Sequence, residues 1–241
     1  MKKIKLALIA ASVMLMSCAG AENTIEAKIR KAVEPKLGES VKIDSVRKTP
    51  YAGLYEIRVG NEVRYTDETG SYLIVGHVFD LKSSEDLTQA RIDDLSKIKF
   101  DDLPLELAVK TVKGNGKRVI AVFEDPNCGY CKRFRQQALK QVDNVTVYTF
   151  MYNILSPDSI TKSANIWCSA DRSKAWDDWM VNGKMAPAAP ANCATPSDKV
   201  LALGHKLNIN GTPSIFFADG SRVPGAIDAR ALEAKLTSIK Q

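Results

Sequence analysis

RVIAVFEDPNCGYCKRF, residues 118–134, decides how the rest of the chain is read. Arg118 to Phe123 is a short apolar run, the pattern of a buried strand. Glu124-Asp-Pro-Asn127 is turn chemistry. Gly129 to Val142 then carries Phe134, Ala138, Leu139 and Val142 on one face, which predicts a helix. Cys128 therefore falls at a helix N-terminus, where free N–H groups and the positive end of the dipole stabilise an anion. A thiolate is such an anion, so Cys128 is predicted to be the attacking sulfur, with a depressed pKa. Lys132, Arg133 and Arg135 add positive charge, whereas Glu124 and Asp125 oppose it. Glu124 in particular, if close and ionised, is expected to raise the Cys128 pKa and blunt its reactivity. Cys131, one turn in, is expected to be more buried and to resolve a mixed disulfide by attacking Cys128. Tyr130 brings no charge, and no proline stiffens the turn. The expected disulfide is readily reduced, and its reduced form can attack wrong disulfides in other proteins.

The chain has five cysteines. Setting aside Cys18 in the leader leaves Cys128, Cys131, Cys168 and Cys193. An even number in an exported chain suggests two pairs, although four cysteines allow three connectivities. Adjacency favours Cys128–Cys131 and Cys168–Cys193. The second pair reads as a staple: it closes a loop of about 26 residues, stabilising by roughly 3–4 kcal/mol in the chain-entropy model. The CGYC pair closes too small a ring to constrain the unfolded chain, so its value lies in reaction. A zinc site is not expected. Such sites take four Cys or His ligands, and the chain offers only His77 and His205, with no second CxxC.

The leader has export character. A basic start, MKKIK, precedes an apolar stretch from Leu6 to Met16 that is too short to span a bilayer, and small residues follow. Two exits are readable: cleavage after Ala19-Gly20-Ala21, which is favoured, or lipidation at Cys18 in a lipobox-like Leu15-Met-Ser-Cys18. The expected location is the periplasm. Formal net charge is +6 over 241 residues and falls to +3 once the leader, with its three lysines and no acids, is removed. So mild and scattered a charge argues against nucleic acid as a partner. No cofactor is implied.

The rest of the chain divides by pattern. Residues 1–21 read as the signal and 22–82 as a small α+β domain. In that domain Ile25 to Leu37 is helical, Leu54 to Val59 is a half-buried strand, and Val63 to Val75 is a hairpin through Asp67-Glu-Thr-Gly70. So small a domain buries little surface, which favours dimerisation as a source of core. Residues 83–99 read as a charged linker helix, with Ser83 or Ser84 as its cap. Residues 100–241 form the catalytic domain. Its expected elements are strands at 118–123, 145–151, 214–217 and 221–224, a helical insertion from about 157 to 207, and a closing helix over 228–239. The three tryptophans of the insertion, Trp167, Trp176 and Trp179, read as core. Met151 and Tyr152 read as packing.

Gly211-Thr212-Pro213, just before the strand Ser214 to Phe217, is a candidate cis peptide. Together with CGYC in a strand–helix setting, it resembles the thioredoxin-like disulfide oxidoreductases, and more closely the DsbC/DsbG family of periplasmic disulfide isomerases. Phe123 to Cys131 looks like the active-site strand and motif of that family. Ile166-Trp-Cys168 and Ala175-Trp-Asp-Asp178 look like its inserted helical segment, and Val223-Pro-Gly225 like the strand after its proline loop. Pro50 to Leu54, Val63 to Asp67 and Gly70 to Ile74 resemble its dimerisation domain. The resemblance covers nearly all of the mature chain. It implies a cystatin-like N-terminal dimerisation domain joined by the linker helix to a thioredoxin-like domain. It also implies a V-shaped homodimer with both sites facing an apolar cleft, and a DsbD-type membrane reductase that keeps Cys128 and Cys131 reduced. Cys193 resembles the partner of Cys168 in a structural disulfide. Thr212 and Pro213, with Tyr130, would contact substrate. The chain departs from the pattern at Val122, where thioredoxin has a buried acid, and at Glu124. Gly129, where DsbG-type chains have proline, points to the DsbC side, and its disulfide is expected to be more oxidising than that of thioredoxin.

The leading expectation is thus an isomerase and reductase that rearranges wrong disulfides in misoxidised exported proteins. Two other readings stay open: an oxidoreductase dedicated to one client, and a chaperone using the dimer cleft with thiol chemistry secondary.

Overall fold

In a computed structural model the described residues are 24–239, apart from Glu39, Ala52 and Asn61. The signal segment and Cys18 lie outside them. The described residues fall into two compact units that divide between Thr88 and Gln89.

The first unit is α+β. Helix α1 (Ile25–Leu37) begins where the Thr24 side chain accepts from the Ala27 N–H, and it buries Ile29 and Val33. These residues pack with Ile43, Tyr55 and Ile57 against an antiparallel sheet. The sheet runs in order β1 (Ser45–Lys48), β2 (Tyr55–Val59), β3 (Glu62–Thr66), β4 (Leu73–Ile74). Gly70 turns the β3–β4 hairpin with φ +72°, and Asp67 holds that turn by accepting from the amides of Thr69, Ser71 and Tyr72.

The predicted linker helix is shorter than its charge pattern suggests. A small hairpin, β5 (Phe79–Asp80) and β6 (Glu85–Asp86), occupies its expected first turn, and α2 covers only Leu87–Leu95. The capping role expected of Ser83 or Ser84 is therefore not found. Ser84 sits in the hairpin turn at φ 60°, and the Ser83 hydroxyl accepts from the Glu85 amide. A serine cluster favours a tight turn as readily as a helix start.

In the second unit, five strands form one mixed sheet in order β11 (Arg222–Pro224), β10 (Ser214–Phe217), β8 (Arg118–Glu124), β9 (Val145–Met151), β7 (Val109–Lys113). Only β8 and β9 pair in parallel, as the crossover helix between them requires. Both are buried on two faces, which is why β8 reads as an apolar run without alternation. One face of the sheet packs Ile120, Val122, Val147, Ile215 and Phe217 against Phe134, Ala138, Leu139, Leu232 and Leu236. The other packs Phe123, Phe150 and Phe216 against Tyr152, Val200 and Ile209.

The crossover helix is not uniform. It starts as α3 (Gly129–Arg133), widens to a π turn over Phe134–Ala138 and tightens to a 3₁₀ turn over Leu139–Gln141. The insertion holds α4 (Pro157–Trp167), α5 (Arg172–Asn182) and α6 (Ser197–Lys206), and α7 (Ala229–Ser238) closes the chain, capped by Asp228. Strand β7 has no counterpart among the sequence expectations: VKTVK is an edge strand with exposed alternate positions, too polar to stand out.

Gly220 ties the β10–β11 turn to the chain entering the second unit. It has φ +78°, its carbonyl accepts from the Ile98 amide at 3.0 Å, and a Cβ there would collide with the Ile98 carbonyl oxygen. Gly220→Ala combines positive-φ strain with that collision and is expected to cost about 2–3 kcal/mol. Chemical denaturation of the reduced protein, with the midpoint lowered and the slope unchanged, is the check.

Candidate active site

The site sits where the carboxyl end of β8 meets the amino end of α3. Cys128 is the N-cap: its backbone is extended and its Sγ accepts from the Cys131 amide at 3.2 Å. The turn before it is held by Asp125. The two carboxylate oxygens of Asp125 accept from the Asn127 amide and Ser159 hydroxyl, and from the Ile154 and Leu155 amides, all at 2.8–3.0 Å. The Pro126 carbonyl accepts from the Trp179 indole at 2.7 Å. Trp179 is flanked by Lys132 and Lys162, whose ammonium groups lie 4.3 and 4.6 Å from its ring centroid. It is thus a partly buried brace for the CGYC approach rather than plain core, whereas Trp176 is fully buried and Trp167 nearly so.

The Thr212–Pro213 bond is cis, and this loop lies directly over Cys128: the Cys128 Sγ is 3.2 Å from the Thr212 carbonyl oxygen. Pro213 is buried, while Tyr130 is 63% exposed at the rim with the Arg133 guanidinium over its ring. The structure thus brings Cys128, Cys131, Tyr130, Thr212 and Pro213 into one place. Cys128 and Cys131 are free thiols, and Cys168 is disulfide-bonded to Cys193. Among the described residues no group of three or more His, Cys, Asp or Glu could hold a metal.

The two free thiols are strongly unlike. Cys128 is lowered to about 6, chiefly by the hydrogen bond from the Cys131 side chain. Burial opposes this, and the Thr212 side chain and the Cys131 and Tyr130 amides assist it. Burial pushes the Cys131 thiol far up, and its hydrogen bond to Cys128 and the charge of Glu124 push the same way. Cys131 therefore stays a thiol that donates to the Cys128 thiolate.

One electrostatic expectation needs correction. Arg135 does not face Cys128. It turns inward, nearly fully buried, and donates to Glu124, Asp177 and Thr149 at 2.6–2.8 Å. The π turn that carries Arg135 was invisible to a helical-wheel reading. Glu124 is completely buried, with one carboxylate oxygen taken by Arg135 and by the Trp176 indole. Its charge raises Cys131, and it is itself raised by the charge of Cys128, so it bears on both sulfurs. The roles of Asp125 and Trp179 also escaped the sequence: a turn-forming Asp and a core-type Trp carry no mark of such partners.

A strand–helix unit with paired cysteines at the helix mouth, faced by a cis-proline loop, defines the thioredoxin-like class. Residues 105–240 match the family model described as a thioredoxin-like domain, and residues 20–89 match the disulfide bond isomerase protein N-terminal domain. The chain is 50% identical over 198 residues to the probable thiol:disulfide interchange protein DsbC of Bordetella pertussis, covering 82% of this chain and 70% of that one. It is 29% identical to DsbC of Escherichia coli over 217 residues, covering 88% of this chain and 87% of that one. A solved disulfide interchange protein from Neisseria gonorrhoeae superposes with a TM-score of 0.54 at 39% identity, covering 58% of this chain and 99% of that one. The chain belongs to the DsbC family of thiol:disulfide interchange proteins.

Cys128 is expected to alkylate with iodoacetamide along a titration centred near pH 6. Its folded value lies below the ordinary 9.0, so the thiolate stabilises the reduced protein. That stability is complete above the ordinary value and is lost as pH falls through about 6. Denaturation of reduced wild type against Cys128→Ser across this window is the check, and the difference between them should grow as pH rises.

Proposed function

We propose that the protein is a disulfide isomerase that works through Cys128 on misoxidised exported proteins in the periplasm. The observation that carries this reading is the asymmetry of the thiols: one depressed and held beneath Thr212 and Pro213, the other sealed and protonated. Cys128 attacks a wrong disulfide as the thiolate and forms a mixed disulfide, expelling one substrate sulfur. That sulfur can attack elsewhere in the substrate and eventually displace Cys128, which leaves the protein reduced and the substrate rearranged. If it does not, Cys131 attacks Cys128, the substrate leaves reduced, and Cys128–Cys131 becomes the redox-active disulfide. A slow Cys131 favours the first outcome. The amides and carbonyls of the Thr212–Pro213 loop hold substrate backbone, Tyr130 packs beside it at the rim, and Cys168–Cys193 serves as a structural staple. A DsbD-type membrane reductase returns the pair to the dithiol.

The N-terminal unit pairs two chains in a homodimer. What supports this is its match to the isomerase N-terminal domain and a run of large exposed apolar side chains, Tyr72, Leu73, Ile74, Val75, Phe79 and Leu81.

The test is recovery of a scrambled-disulfide substrate by the mature, reduced protein. Native pairing should return with wild type, Cys128→Ala should abolish it, and Cys131→Ala should retain substrate as a mixed disulfide on non-reducing gels. Simple dithiol oxidation without rearrangement would point instead to a client-specific oxidoreductase.

A further inference from the structure

Several cations of the second unit meet a carboxylate: Arg118 meets Glu233, Lys174 meets Asp178 and Lys235 meets Asp219. Lys132 does not. Among the described residues its ammonium has no hydrogen bond or ion pair, and it rests 4.3 Å from the centroid of the Trp179 ring. The same ring carries a second ammonium, that of Lys162, at 4.6 Å. Lys162 is neutralised: it meets Asp158 at 2.5 Å and donates to the Asn127 side chain at 2.7 Å. One indole thus holds two positive charges, and a single carboxylate answers them. The ring attracts cations through its quadrupole but brings no net charge. The cluster is short of one anion, on the Lys132 side. It is also tied to the reacting motif. Trp179 donates to the Pro126 carbonyl at 2.7 Å, two residues before Cys128, and the Lys132 amide donates to the Cys128 carbonyl at 3.1 Å. Four residues apart at a helix start, Cys128 and Lys132 share a face, one turn apart. Arg133, exposed and 5.4 Å from the Tyr130 ring centroid, adds positive charge at the same rim. The carboxylates that α5 carries beside Trp179 are spent, Asp177 on Arg135 and Asp178 on Lys174.

We propose that Lys132, held on Trp179, reads a carboxylate on the substrate, so that the protein favours polypeptides with an acidic side chain two residues from the disulfide that Cys128 attacks. This rests on the reading of Cys128 as the attacking thiol. In an extended segment, residues two apart point to the same side and lie about 7 Å from each other. Helix neighbours four apart are separated by about 5–6 Å, a similar span. An acid two residues from the attacked cysteine therefore comes to Lys132 when that sulfur comes to Cys128. The stem of Lys132 lies along the indole, which gives the ammonium a set place before substrate arrives and limits the freedom lost on pairing. Asp158 repels an acid from the Lys162 side, which leaves the Lys132 side to receive it. An exposed pair of this kind biases a choice without dictating it, so neutral substrates stay acceptable.

The test uses the mature, reduced protein and symmetrical peptide disulfides of acetyl-Xaa-Ala-Cys-amide, with Glu, Gln or Lys as Xaa. Attack by Cys128 releases one peptide thiolate and leaves a mixed disulfide. Cys131 then releases the second peptide thiol as the Cys128–Cys131 bond closes. Rates of peptide consumption are compared as ratios within each protein, so any change in the reactivity of Cys128 itself cancels. Wild type should prefer Glu to Gln by about threefold at low salt, the scale of an exposed ion pair, and should take Lys last. Salt at ~0.5 M should bring the rates together. Lys132→Met, which keeps the side-chain length, should erase the preference, and Lys132→Glu should reverse it. Lys117→Glu makes the same change in net charge at the opposite end of β8, on an exposed turn, and should keep the wild-type order. A wild type that does not discriminate overturns the proposal, and needs no variant to fold. So does a Lys132→Met protein that slows all peptides alike and keeps the ratio, the mark of a merely structural role. Equal loss of preference in Lys117→Glu overturns it as well, by assigning the effect to the charge of the whole chain. Wild type that consumes none of the peptides would instead refute the role of Cys128.

Discussion

The site depends first on Asp125. Its carboxylate joins three pieces of chain: the turn that carries Cys128, the segment leaving β9, and the start of α4. Without it, four donors would lose a carboxylate acceptor; the Ser159 hydroxyl is buried and the three amides are partly so, and an unsatisfied buried group costs about 1–3 kcal/mol. With it, the end of β8 cannot move relative to the insertion, so the N-cap sulfur is fixed in place before any substrate arrives. Trp179 braces the same turn from α5 through the Pro126 carbonyl. The helical insertion is therefore part of the active-site scaffold, and the Cys168–Cys193 bond, which joins the end of α4 to the chain before α6, constrains the support as well as the loop it closes.

Reactivity here is made from a difference between two sulfurs. The N-cap geometry and the neighbouring thiol draw Cys128 down, whereas enclosure drives Cys131 up. Neither effect relies on the basic side chains that crowd the motif in sequence. Those have other partners: Lys132 lies over Trp179, Arg133 over Tyr130, and Arg135 inside the domain. Net charge around a motif is thus a poor guide to the field at a sulfur, because distance and hydrogen-bond direction outweigh it.

How much was legible follows from this. The strand at 118–123, the cysteine pair at a helix mouth, the strand at 214–217 and the closing helix could all be read, since each is a strong periodic or turn signal next to a distinctive residue. The N-terminal helix at 25–37 could be read from its weak amphipathic pattern, and in the structure Thr24 caps its start. What could not be read was set by tertiary partners. Strand β7 is strand only because β9 lies beside it. Ser83 and Ser84 turn a hairpin because Leu87 bonds back to Val78. Arg135 looked like a surface cation until Glu124, eleven residues away and itself apparently part of an exposed turn, proved to be buried against it.

The π turn over Phe134–Ala138 has a consequence for how this chain can vary. A π turn is an α-helix carrying one residue too many, and it is normally less stable than the regular form. Deleting a residue from this stretch would restore the regular helix, yet rotate everything that follows by about 100° against everything before it. Phe134 and Arg135 could not then keep their inward places while Ala138 and Leu139 kept theirs against Ile120 and Val147. The length of this segment is thus held fixed by the need to satisfy an apolar sheet and a buried carboxylate from a single helix. Related chains that keep Glu124 should tolerate substitutions across these five positions far better than the loss or gain of one.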